Sequence, residues 1–173
     1  METIRSIKSI IYIELNGIYT LSESPVEDSK APIFHINPSL NLRGSGVVVA
    51  IVDTGIDYLN NEFMREDETT RILSIWDQTI DSGKTPDGFI SGSEYTEEDI
   101  NKAIQAQKQG QNPYDIVPSK DDYGHGTKMA GIVGARGINR EIVGVAPDCE
   151  FIIIKLQEAS KEYIDFYYAK GDK

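Results

Sequence analysis

The chain has 173 residues, 39% of them hydrophobic and 26% charged, with a formal charge of −11. That length and composition suit one globular domain with a real core and exclude a disordered chain. The acidic balance excludes nucleic acid as a partner, because phosphate binding needs clustered Lys and Arg and the stretch from Arg136 to Arg140 is too sparse to supply it.

Residues 4–13, "IRSIKSIIYI", suit a strand, and "ELNGIYTL" continues as a turn and a second short strand with Asn16-Gly17 at the corner. This small N-terminal β segment is followed by "SESPVEDSKAP", a polar, Pro-containing linker. The apolar run Val47 to Val52 then has so little alternation that it predicts a strand buried on both faces, as in a parallel sheet covered by helices. "RILSIWDQTI" reads as another strand. In "YTEEDINKAIQAQKQG" Thr96 caps a helix with acidic residues in its first turn, and Gly110 ends it. Ile100, Ala103, Ile104 and Gln107 share one weakly amphipathic face, which predicts a helix decorating the surface.

"DDYGHGTKMAGIVGARG" predicts a helix opening near His125, and "REIVGVAPDCEFIIIKL" ends in an apolar strand from Phe151 to Leu156. Strand, helix and strand in this order predict a βαβ unit, and so an α/β fold with a parallel sheet flanked by helices. The tail carries Tyr163, Phe166, Tyr167 and Tyr168 and is expected to pack against more protein. The single cysteine, Cys149, stands at the entrance to an apolar strand and reads as a packed thiol. No apolar run is long enough to span a membrane, and residues 1–13 lack the pattern of a signal peptide. The sequence therefore gives no positive sign of export.

The stretch "VVVAIVDTGID", residues 47–57, poses the functional question. An Asp-Thr-Gly turn serves aspartic proteases, but those need two such turns or a symmetric dimer, and an all-β chain. One turn in a chain that alternates strands and helices argues against that class. The glycine-flanked His125 offers a different partner for Asp53. A histidine at a helix N-terminus lies at the positive end of the helix dipole, which favours the neutral, proton-accepting ring. An aspartate at the carboxyl end of a neighbouring parallel strand can orient that ring and stabilise it once protonated. Small residues (Ala130, Gly131, Gly134 and Ala135) let the helix lie close to the sheet.

"VVVAIVDTGID" and "GHGTKMAGIVGA" resemble the Asp and His motifs of the subtilisin-like serine proteases, and "GVAPDCEFIIIKL" resembles their following strand. Asp before His is that family's order. The likeness covers roughly residues 33 to 156, and Lys128 stands where the family often has His. It implies a subtilisin-like fold, incomplete here, with residues 1–30 as a propeptide remnant and linker. Residues 31–173 would form the N-terminal part of the peptidase domain, with an inserted section at about 58–120. "RILSIWDQTI", "SGSEYTEEDINKAI" and "DIVPSKDDYGHGT" are most similar to the clostridial group that includes spore-germination proteases.

By that resemblance Asp53 is the orienting acid and His125 the general base of a serine endopeptidase, and the partner is a protein or peptide substrate. The nucleophilic serine turn and the oxyanion-hole asparagine are not found. Ser45 and Ser93 precede His125, and Ser160 lacks a glycine turn, so none is a credible nucleophile. The chain is expected to be inactive without the missing C-terminal half of the domain. The alternative is a truncated or pseudoprotease module that binds without cleaving. No cofactor is required; structural calcium is common in the family, but the acidic runs Glu66 to Glu68 and Glu97 to Asp99 have no ligand spacing.

Overall fold

The computed structural model describes residues 42–140 and 142–159. The expected N-terminal hairpin, the linker, Ser160 and the aromatic tail lie outside the described residues. Four strands form one sheet: β1 (Val48–Asp53), β2 (Ile72–Asp77), β3 (Ser93–Thr96) and β4 (Glu150–Lys155). Their order is β1-β4-β2-β3. β4 pairs parallel with both β1 and β2, whereas β3 runs antiparallel to β2. The sheet is therefore mixed, a parallel set extended by one antiparallel edge strand.

Among the described residues two α-helices accompany it, α1 (Glu97–Lys108) and α2 (His125–Gly134). α1 starts as the sequence predicts. The Thr96 side chain accepts from the Asp99 amide and the Asp99 carboxylate takes the Thr96 amide, a reciprocal capping box. Gly110, at φ +75°, lies just beyond the helix end.

The role expected for α1 is corrected. Ile100, Ala103 and Ile104 are at most 1% exposed, and Ala106 is also buried, so the helix builds the core rather than decorating it. Gln107 faces solvent instead. Ile51, Ile153 and Ile75 sit side by side across β1, β4 and β2, and they join Ile100, Ile104 and Ala130 in one buried cluster. Each such isoleucine contributes about 1.5–3 kcal/mol of burial. The section at 58–120 thus supplies β2, β3 and α1 to the same sheet and core.

The expectation that β1 is buried on both faces also needs correction. Val49 and Ile51 turn toward the core, but Val48 and Val52 on the other face are 47% and 56% exposed, as is Ile152 of β4 at 37%. The apolar run marked a strand suited to cover on both sides; among the described residues only one side has it.

A buried guanidinium ties the two ends of the core together. Arg71, just before β2, donates to the carbonyls of Cys149, Glu62 and Gly134. Its ring partner is Phe151, 5.4 Å away.

Candidate active site

Asp53 is the last residue of β1 and His125 the first of α2. The fold brings them together at the carboxyl end of the parallel strands, where open α/β sheets place their sites. His125 Nδ1 lies 2.8 Å from Asp53 Oδ1 and 2.9 Å from Oδ2. Both side chains are largely shielded, at 17% and 14% exposure. A carboxylate on Nδ1 selects the tautomer with its proton there, which makes Nε2 the basic nitrogen of the neutral ring.

Backbone contacts fix the acid. Asp53 Oδ1 accepts from the Thr54 amide at 2.7 Å, and the Asp53 carbonyl accepts from the Leu156 amide at 2.9 Å. Asp53 is also the register partner of Lys155 on β4. The Lys155 ammonium donates to the Lys120 carbonyl at 2.7 Å and stands 3.6 Å from Asp77.

The helix start is unusual for its cap. Gly124 precedes it at φ +74° and offers no side chain. The cap comes instead from Asp121, three residues earlier, whose carboxylate accepts from the Thr127 amide at 2.8 Å and the Thr127 hydroxyl at 2.6 Å. Burial pushes the Asp121 carboxyl up, but its hydrogen bonds from Thr127, Thr54 and Gly124 outweigh that and hold it below the ordinary carboxylate range.

The chemistry this arrangement permits is proton transfer: an imidazole held in one tautomer by a part-buried carboxylate, at the carboxyl end of the parallel strands. The matching sequence pattern is decisive about kin. The Subtilase family pattern fits residues 44–170. The chain belongs to the subtilase family. Among relatives of this subtilase chain, the PII-type proteinase of Lacticaseibacillus paracasei is 25% identical over 157 residues, covering 88% of this chain and 8% of that protein. The major intracellular serine protease of Bacillus subtilis is 25% identical over 152 residues, 87% of this chain and 36% of its own length. The CspB protease of Clostridium perfringens superposes with a TM-score of 0.63 at 31% identity, covering 82% of this chain and 29% of that one. The subtilase chain thus spans a minor part of the relatives it matches, and its clostridial likeness agrees with the phrases noted between residues 71 and 127.

Two of the described serines have structural partners. Ser93 of β3 is buried, donating to the Ile80 carbonyl and accepting from the Gly83 amide. Ser119 donates to Asp77 at 2.6 Å. Cys149 is fully buried, and burial pushes its thiol up more than the nearby Arg71 pulls it down, which fits a packed thiol. Among the described residues no group of three or more His, Cys, Asp or Glu side chains comes together to hold a metal. No helix among them is long and apolar enough to cross a membrane.

Sequence reasoning passed over Asp121, Thr54 and Thr127 as contributors to the site. The available signal was an acidic residue just upstream of a helix whose own cap position is glycine.

Proposed function

We propose that this chain is the acid–base portion of a serine endopeptidase, with Asp53 as the orienting acid and His125 as the general base. The observation that carries the proposal is the 2.8 Å contact of His125 Nδ1 with Asp53 at the carboxyl end of the parallel strands. A serine delivered to His125 Nε2 would pass its proton to the ring while attacking a peptide carbonyl, and Asp53 would stabilise the imidazolium that forms. The same proton then goes to the leaving amine, and water hydrolyses the acyl-enzyme with His125 again as base. The substrate class is protein or peptide, as the names of the proteinase relatives imply.

The serine is not supplied by a motif in these 173 residues, and lacking a nucleophile and an oxyanion donor costs orders of magnitude in rate. The 173-residue chain by itself is therefore expected to be inactive. The test compares it with a protein in which the same sequence continues into a nucleophile-bearing segment. Turnover of a peptide ester by the longer protein, abolished by His125→Ala and absent from the short chain, is the expected result. Robust hydrolysis by the short chain alone sinks the assignment of roles. A longer protein that binds peptide without cleaving it moves the reading to a pseudoprotease.

A further inference from the structure

We propose that Asp121 is a positioning residue that sets the Asp53–His125 contact by locking the turn after β1 to the first turn of α2. This inference rests on the reading of Asp53 and His125 as an acid–base pair. Its argument comes from the hydrogen-bond pattern around two threonine hydroxyls.

Thr54 follows Asp53, and its hydroxyl donates to Asp121 Oδ1 at 2.7 Å while accepting from the Gly126 amide of α2 at 3.0 Å. Thr127 lies two residues after His125, and its hydroxyl donates to Asp121 Oδ2 at 2.6 Å while accepting from the Asp57 amide at 2.9 Å. Each threonine thus receives a backbone N–H from the other's segment. A hydroxyl has one proton that rotates, so committing that proton to a third group fixes the direction in which its lone pairs accept. Asp121 is that group for both. Its remaining bonds, from the Gly124 amide at 2.9 Å and the Thr127 amide at 2.8 Å, orient the carboxylate and cap the helix that carries His125.

Asp121 is itself held from behind. Ser119 donates to the buried Asp77, and the Lys155 ammonium donates to the Lys120 carbonyl, so the two residues before Asp121 are anchored to β2 and β4. The carboxylate is therefore fixed to the sheet, and through it both partners of the pair are fixed to each other. Such support distinguishes a site held to a few tenths of an ångström from a loose one.

An Asn at this position keeps the shape but offers one oxygen and an amide N–H₂. The N–H₂ must face one pair of donors, either Thr54 Oγ1 with Gly124 N or Thr127 Oγ1 with Thr127 N. On that side a backbone N–H loses its acceptor and the hydroxyl loses its direction.

The experiment reads proton NMR of the 173-residue chain, where the Nδ1–H of His125 facing a carboxylate gives a downfield, slowly exchanging signal; Asp53→Asn assigns it. Asp121→Asn is expected to broaden or erase that signal and to raise amide exchange at Gly126 and Asp57 by more than about tenfold, leaving Ile153 of β4 protected. Thr127→Val, which removes one relay, is expected to do the same at Asp57, and Thr127→Ser to restore it. An unchanged signal and unchanged exchange in Asp121→Asn overturn the proposal. If that variant does not fold, the same two readings in Thr127→Val decide it. Neither measurement needs a nucleophile, so loss of the proteolytic reading leaves this result standing. An Asp53→Asn chain that keeps the signal instead removes the acid–base pair itself.

Discussion

Gly126 lies against the carbonyl of Gly55 with no room for a side chain: a Cβ there would overlap that oxygen and stand 3.1 Å from the Asp53 Cβ. The obstacle is backbone, not the end of a flexible side chain, so it cannot step aside. The closeness of α2 to the turn after β1, and with it the His125–Asp53 distance, depends on this glycine. Gly126→Ala is expected to cost about 1–3 kcal/mol of stability, the usual range for forced overpacking. Chemical unfolding measures that loss, and the His125 Nδ1–H signal should weaken in the same variant. A neutral substitution would mean that the helix can slide without loss of the pair.

Glu62 offers a test of metal independence. Its carboxylate accepts from the amides of Gly137 and Asn139 at 2.7 Å and of Ile138 at 3.2 Å, so three successive backbone N–H groups take up its oxygens. Chelation with EDTA is expected to leave the melting temperature unchanged. Glu62→Gln presents an N–H₂ to one side of this amide cradle and should lower stability by about 1–3 kcal/mol. A large drop on chelation, reversed by calcium, would contradict the expectation.

Acid should loosen the site from Asp121 outward. Its folded carboxyl is held below the ordinary value of about 3.9 by Thr127, Thr54 and Gly124. A depressed carboxyl contributes stability that is complete above the unfolded value and is lost as pH falls through the folded one. Urea unfolding between about pH 5 and pH 2 should therefore show a steeper loss in the parent chain than in Asp121→Asn. Asp99, lowered by its bonds from Thr96, declines in both proteins and provides the common background. Parallel curves would remove Asp121 from the acid response.

Arg71 is 4% exposed, and three carbonyl groups share its guanidinium. Burial pushes its pKa down, the cost of placing a cation in the core. Arg71→Lys keeps the charge but gives a point donor that cannot span Cys149, Glu62 and Gly134 together. A loss of roughly 1.5–3 kcal/mol is expected by thermal or urea unfolding. A variant as stable as the parent would make the three contacts incidental.

Much of the site was legible because its chemistry is written locally. Asp53 ends an apolar run and His125 opens a helix, and the structure places both where those patterns predict. The burial of α1 was not legible: its apolar stripe is short, and Ala106 rather than Gln107 completes it. β3 escaped notice because "SEYT" carries no apolar alternation; its place comes from pairing with β2 and from Ser93 and Tyr95 turning inward. Asp121 was hidden for another reason. Its value lies in meeting Thr54, 67 residues away, which no window along the chain contains.

The register of β1 also sets a timetable for synthesis. Among the described strands β1 pairs only with β4, which begins about 100 residues later in the chain. At about 5–20 residues per second, a ribosome that has made Asp53 needs roughly 5–20 s more to make its support. During that interval Val48 to Val52 are an apolar segment without its strand partner, the kind of segment that invites pairing with other chains. His125 is already present before the wait ends. The sheet beneath Asp53 is therefore completed only by the arrival of β4, and a nascent chain that stalls between His125 and Glu150 has both side chains but lacks the strand that pairs with β1.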